Sequence, residues 1–271
     1  MPTGADGACL IRIAQLDMRF TAKGGAVQAL SGVSLDIRAG EFFSIVGPSG
    51  CGKSTLLLLI AGLERQSAGT LTINGHAPSA RAREAALVFQ QDILLEWRTV
   101  LANILLPAEL RGGVSDDDRT RATTLLESVG LRGFENHYPH ELSGGMRQRA
   151  ALCRALLCET GVLLMDEPFG ALDALSRQEH QMMLQRIWMT ERKTVLMVTH
   201  DIREAILLSD RVAIMSARPG RIKDIVDIDL PRPRPLDIEE SPRFNQLVTQ
   251  IRQQIVGAEP LDARAARGGY A

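Results

Sequence analysis

GPSGCGKST, residues 47–55, follows directly on the apolar run Phe42-Phe43-Ser44-Ile45-Val46. Glycine has no side chain to bury, so a loop this rich in it is shaped around something outside the chain. Gly47, Gly52, Lys53 and Ser54 fill every fixed position of G-x-x-x-x-G-K-[ST], between a strand expected over Phe42–Val46 and a helix expected over Lys53–Leu63. The glycines let successive backbone N–H groups converge on phosphate oxygens, and the helix aims its positive end at the same place. Lys53 suits the β- and γ-phosphates of a nucleoside triphosphate, and the Ser54 hydroxyl suits Mg²⁺. Gly47, Pro48, Ser49, Gly50, Cys51, Gly52, Lys53, Ser54 and Thr55 are therefore the candidate phosphate-binding positions.

The loop sits in a chain of 271 residues, 45% hydrophobic and 4% aromatic, with a net charge of −1. That is enough for one large domain or two small ones around a substantial core. So even a charge gives no general pull toward nucleic acid or acidic lipid, and so few aromatics argue against base stacking, so nucleic acid is not an expected partner. Cys9, Cys51, Cys153 and Cys158 lack metal-ligand spacing and read as reduced thiols. The start, MPTGADGAC, has neither the basic opening nor the apolar stretch of a signal peptide. The longest apolar run, Leu56 to Ala61, is far short of the roughly 20 residues a membrane helix needs.

Outward from the loop, Leu10 to Phe20 alternates, with Leu10, Arg12, Ala14, Leu16, Met18 and Phe20 on one face, and reads as a strand. Val33–Ile37, Thr70–Asn74 and Ala86–Phe89 read as further strands, and Ala39-Gly40 as a turn. The stretch from about 93 to 157 is helical in period, with a capping-box start at Ser115 and Asp118 and a stop at Gly130. Strands return at Gly161–Met165 and Thr194–Thr199, with a helix over Leu175–Thr190 between them. This alternation predicts an α/β core carrying a helical subdomain. Residues 1–9 read as a flexible tail, and PRPRP, residues 231–235, as the start of a linker. Ser241–Val256 reads as a last helix and residues 257–271 as a loose end, and there is no internal repeat.

Gly161-Val-Leu-Leu-Met-Asp166-Glu167-Pro168 puts two acids at the C-terminal end of a buried strand, where ligands of open α/β sheets sit. Asp166 is the candidate holder of Mg²⁺, and Glu167 the candidate to polarise an attacking water. Alone, such a pair would more simply favour the dipole of a following helix. Beside a phosphate loop, hydrolysis is the stronger reading.

Leu142-Ser143-Gly144-Gly145-Met146-Arg147-Gln148-Arg149 resembles the LSGGQ signature of ATP-binding-cassette (ABC) ATPases, with Met146 where glutamine is usual. Phe89-Gln90 resembles that family's glutamine loop, Ala171-Leu172-Asp173 its D-loop, and Thr199-His200-Asp201 its histidine switch, in the family's order. The resemblance covers about residues 10–230, the expected ATPase domain. It implies a P-loop NTPase (RecA-like) α/β core with an antiparallel β subdomain and an inserted helical signature subdomain at about 93–157. It implies that Phe20 stacks on adenine, that Gln90 touches Mg²⁺ and the water, and that His200 contacts the γ-phosphate and steadies Glu167. It further implies that Ser143, Gly144 and Gly145 serve an ATP held by a second copy of the chain, that two chains close head to tail over two ATP molecules, and that Asp173 shapes the seam. Ser143 would also make a plain N-cap, but two adjacent glycines at a helix start cost up to about 1 kcal/mol each. Cys51, beside a positive helix end, is expected to be the most reactive of the four thiols.

Leu94-Leu-Glu-Trp97-Arg-Thr-Val100 is the region that, in this family, docks on a transmembrane permease subunit. Trp97 reads either as an interface anchor or as core. With Pro168–Asp173 and Ala217–Arg221, the stretch is similar to import cassettes for nitrate, taurine, alkanesulfonate, bicarbonate and pyrimidine precursors, with Glu96 in place of a usual proline. That likeness implies a peripheral protein on the cytoplasmic face of the inner membrane, fed indirectly by a periplasmic or lipid-anchored solute-binding protein. A soluble, non-transport ABC ATPase is the other reading, but the sequence has neither the long coiled coil of repair proteins nor a second cassette.

Overall fold

The computed structural model describes residues 9–22, 25–79 and 84–256. The loose end expected at 257–271 and all but Cys9 of the expected tail lie outside them.

Two sheets organise the chain. Strands β1 (Cys9–Ala22), β2 (Gly25–Arg38) and β4 (Ala68–Ile73) form an antiparallel sheet in the order β2-β1-β4. The alternation along β1 does not keep one phase. Ile11 and Ile13 are buried, then Leu16 and Met18, because Gln15 takes a left-handed conformation (φ 49°) and the pairing slips between Ile13 and Leu16. One extra residue turns the following side chains to the other face, so the even-numbered Leu16 and Met18 are buried where the even-numbered Arg12 and Ala14 are exposed. The bulge also dictates Gly69 opposite it, where a Cβ would lie 2.3 Å from the Gln15 carbonyl.

The second sheet runs β5 (Ala85–Val88), β6 (Val162–Asp166), β7 (Thr194–Thr199), β3 (Phe42–Val46), β8 (Arg211–Met215) and β9 (Ile222–Asp227). Its first five strands are parallel and β9 is antiparallel to β8. Both faces are covered, so β3 and β7 are buried at every residue and read as continuous apolar runs. Successive side chains enter different cores. Leu163 and Met165 meet the helical side, with Phe42 and Trp188. Val162 and Leu164 meet α1 (Lys53–Ile60) and the antiparallel sheet.

The helical side holds α2 (Val100–Arg111), α3 (Asp116–Ser128), α4 (Gly144–Leu157) and α5 (Ala174–Glu191). The Ser115 hydroxyl accepts from Asp118 N and the Asp118 carboxylate from Ser115 N, a capping box that starts α3. No expectation covered α6 (Ile202–Leu208), β8 or β9, all short elements between His200 and Leu230.

The run PRPRP is not the linker its composition suggests. Arg234 is 1% exposed, and its guanidinium donates to the carbonyls of Ile206 (2.6 Å), Ser209 (2.7 Å) and Leu230 (3.1 Å). Arg232 pairs with Asp210 at 2.9 Å and lies over the Trp188 ring. The segment straps the C-terminal end of α6 to α5, and α7 (Pro242–Val256) buries Phe244, Leu247 and Ile251 against α6 and β8. Among the described residues, no helix is long and apolar enough to cross a membrane.

Candidate functional site

Strands β3, β6 and β7 are parallel neighbours, so the segments that leave their carboxyl ends emerge together. From β3 comes the glycine loop. Gly47 is required because a Cβ there would lie 2.8 Å from the Met215 carbonyl, and Gly52 because its φ is 104° and a Cβ would lie 2.7 Å from Leu30. Lys53 is buried at the loop's centre and donates to the carbonyls of Gly47 (3.0 Å) and Pro48 (3.1 Å). The loop opens on a cavity of about 310 Å³ walled also by Phe20, Val27, Glu167 and Arg218. Phe20 and Val27 are cross-strand partners on β1 and β2, so the antiparallel sheet carries an aromatic ring to the mouth of the loop.

From β6 come the two acids. The Ser54 hydroxyl donates to Asp166 at 3.0 Å, putting a second oxygen atom beside the serine that lines the cavity. Burial pushes the Asp166 carboxyl up, against the opposing bond from Ser54. Glu167 is a non-glycine residue in the left-handed region, φ 46°, held there by a bond from its N–H to the Val198 carbonyl. Such conformations cost about 1–3 kcal/mol and gather at functional sites.

From β7 comes His200, whose Nδ1 is 3.2 Å from Glu167 Oε2. Gly170 completes the pocket, since a Cβ there would stand 3.1 Å from the Gln90 amide and 3.7 Å from the Glu167 carboxylate. The missing side chain lets both the amide and the carboxylate approach the Gly170 backbone. Below His200, a small cleft is lined by Arg177, Thr199 and Glu204. The Thr199 hydroxyl donates to Glu204, and burial pushes that carboxyl up from 4.5 to about 7.

The structure thus gathers the loop, Phe20, Gln90, Asp166, Glu167 and His200 in one place. Ser143, Gly144 and Gly145 are not part of the wall of that cavity. Ser143 caps α4 by accepting from Met146 N, and Gly144 lies open, its nearest neighbour the Arg147 guanidinium at 3.9 Å from a Cβ. Asp173 caps α5 by accepting from Ser176 N at 3.0 Å, and those N–H bonds hold its carboxyl below the usual carboxylate range.

Two expectations meet a clear answer. Cys51 is 1% exposed, its sulfur turned under the loop, and burial raises its thiol pKa more than Lys53 lowers it, so the expected enhanced reactivity is wrong. Trp97 is 75% exposed and therefore not core.

Three side chains had no part in the sequence reading, and a fourth, Arg218, entered it only within the stretch Ala217–Arg221. Arg218 donates to the Gly50 carbonyl and walls the phosphate cavity, and Arg177 and Glu204 line the cleft below His200. Asn103, fully buried, donates to the carbonyls of Leu95, Arg98 and Thr99 and accepts from Leu95 N, fixing the turn that displays Trp97. Only Asn103, a polar residue on the apolar face of α2, carried a signal that could have been read.

A profile of the ABC transporter family matches residues 30–170. The taurine import ATP-binding protein TauB of Jannaschia sp. is 40% identical over 257 residues, covering 91% of this chain and 92% of that one. The nitrate import ATP-binding protein NrtC of Synechococcus elongatus is 46% identical over 241 residues, covering 85% of this chain and 36% of that one. Among solved structures, a dimeric ATP-binding cassette in a post-hydrolysis state bound to ADP and Pi superposes with a TM-score of 0.72 at 31% identity, covering 82% of this chain and 100% of that one.

Proposed function

The chain belongs to the ABC transporter family of ATP-binding proteins, and on that premise we propose that it is the ATP-binding and ATP-hydrolysing subunit of an ABC-type importer. The observation that carries this reading is the meeting of Glu167, His200 and Gln90 beside the glycine loop. The names of the relatives, taurine and nitrate import proteins, support import over a soluble non-transport ATPase.

In this reading the loop's N–H groups and Lys53 bind the phosphates of ATP, and Phe20 stacks on the adenine. Ser54, Asp166 and Gln90 offer oxygen atoms, the hard donors that Mg²⁺ takes, and the 3.0 Å contact between Ser54 and Asp166 already places two of them together. Mg²⁺, when bound, supplies neutralisation of charge on the β- and γ-phosphates. Glu167 accepts a proton from water as the water attacks the γ-phosphorus and the bond to the ADP oxygen breaks, giving ADP and inorganic phosphate. His200 holds the Glu167 carboxylate in place and meets the γ-phosphate from the other side.

Ser143, Gly144 and Gly145 lie outside that cavity and open a helix with free N–H groups, a second anion site. They serve the nucleotide of a second copy, the two chains closing head to tail with Asp173 at the seam. Exposed Trp97, together with Leu110 beside an apolar groove of about 480 Å³ between β5, α2 and the end of α4, suits docking of a transmembrane permease subunit. In this reading the protein works peripherally on the cytoplasmic face of the inner membrane, with a solute-binding protein acting indirectly. The solute is a small anion or organic solute such as nitrate, taurine, alkanesulfonate or bicarbonate, a reading supported by the names of the taurine and nitrate relatives. Co-expression with a permease and transport of radiolabelled nitrate or taurine into vesicles tests this, and ATP hydrolysis that no permease stimulates counts against it.

A further inference from the structure

The two glycines that open α4 have little of their own to fix their direction, since glycine is the least constrained residue in a helix. Ser143 caps only the Met146 N–H. On one side Arg147 ties the turn down, pairing with Asp92 at 2.8 Å and donating to the Leu142 carbonyl. On the other side the turn leans on a single ring, that of His180.

His180 stands on the second turn of α5, 3% exposed, within a helix whose N-cap is Asp173. Its Nδ1 is 2.6 Å from the Ser176 carbonyl, which can only accept, so Nδ1 carries the hydrogen. With its hydrogen on Nδ1, the ring accepts at Nε2 from the Nε of Arg149 at 3.2 Å, and the Gly145 carbonyl, itself an acceptor 3.1 Å from Nε2, is a packing contact and not a hydrogen bond. Arg149 in turn pairs with Glu179 at 3.5 Å. The ring is flush against the glycine: a Cβ on Gly145 would lie 3.3 Å from His180 Cε1 and 3.7 Å from Leu172 of the D-loop. The start of α4 and the start of α5 are thus joined by one buried polar side chain, at the two segments proposed to face the partner copy.

We propose that His180 is a positioning residue: its ring, packed on Gly145 and tied through Nε2 to Arg149 of α4, sets the aim of the Ser143-Gly144-Gly145 turn toward the triphosphate held by the second copy. The inference rests on the head-to-tail reading above. It assigns His180 no contact with nucleotide. Its removal therefore weakens closure across the seam while leaving each chain's grip on its own ATP untouched.

The test is carried out in full-length protein bearing Glu167→Gln, with dimerisation followed by light scattering as ATP is added. Binding of a fluorescent ATP analogue is measured in parallel on dilute protomers. Adding His180→Leu is expected to raise the ATP concentration for half-maximal dimerisation about ten-fold, the worth of one buried hydrogen bond, with protomer binding unchanged. Adding His180→Gln, which restores a polar group at the Nε2 position, is expected to return it to the parent value. Unchanged protomer binding also shows that each variant is folded. If His180→Leu dimerises as readily as its parent, or if His180→Gln fails to rescue, the positioning role is refuted while the dimer stands. If the Glu167→Gln parent stays monomeric at saturating ATP, the head-to-tail reading falls and takes the inference with it.

Discussion

His200 Nδ1 and Glu167 Oε2 are 3.2 Å apart, at the ends of strands β7 and β6 that lie side by side in the sheet. The parallel register pairs Asp166 with Val198, so the residue after β6 and the turn after β7 leave the sheet at the same height. The left-handed conformation of Glu167 then swings its carboxylate toward the imidazole. A base held this way is ready to take a proton from water without first being ordered.

Glu167→Gln keeps the shape and removes the base. Turnover is expected to fall by about 10²–10⁴, the usual share of a general base, with nucleotide binding retained. Phosphate release and equilibrium binding of an ATP analogue measure the two separately. Normal turnover in the variant would remove Glu167 from the chemistry.

Glu204 gives the fold a pH dependence of definite sign. Burial raises its carboxyl from 4.5 to about 7, so the folded state binds its proton more tightly than the unfolded chain does. The stability it contributes is complete below pH 4.5, declines as pH rises through 7, and is gone above that. Glu204→Gln lacks this loss. The variant is expected to gain on the parent by roughly 3 kcal/mol between pH 5 and pH 8. Urea unfolding at several pH values checks it, and parallel curves would contradict it.

The chemistry-bearing segments were legible in the sequence because they are local. A glycine loop between strand and helix, two acids ending an apolar strand, and a histidine ending another each show themselves within about ten residues. What escaped depends on distant partners. The phase change of β1 at Gln15 needs the knowledge that Gly69 lies opposite it. Arg234 reads as a linker residue because two of the carbonyls that receive it, those of Ile206 and Ser209, sit at the C-terminal end of α6, and α6 is too short to announce itself. Cys51 carries the same lesson: a helix dipole can be inferred from sequence, but burial beneath the loop cannot, and here burial dominates.

Iodoacetamide is therefore expected to leave Cys51 unmodified in the native protein under conditions that label the partly exposed Cys9 and Cys158. Mass spectrometry of peptides, native against urea-unfolded, reads this directly. Rapid native labelling of Cys51 would show that the loop opens far more than its packing indicates.

Arg234→Ala strips the bonds from the buried carbonyls of Ile206, Ser209 and Leu230. A loss of about 3 kcal/mol is expected, lowering Tm by roughly 5–10 °C. An unchanged Tm would mean that the strap contributes nothing to stability.

Mixing two inactive variants tests the shared site most directly. Lys53→Ala disables the loop, and Gly144→Asp places a negative charge at the signature turn, where the open surroundings of Gly144 leave room for the side chain. Each variant alone is expected to be inactive. Mixed, one composite site in every hetero-pair joins the intact loop of one chain to the intact signature of the other, and ATP hydrolysis is expected to return. If the mixture stays as inactive as its components, the triphosphate is not gripped between two chains.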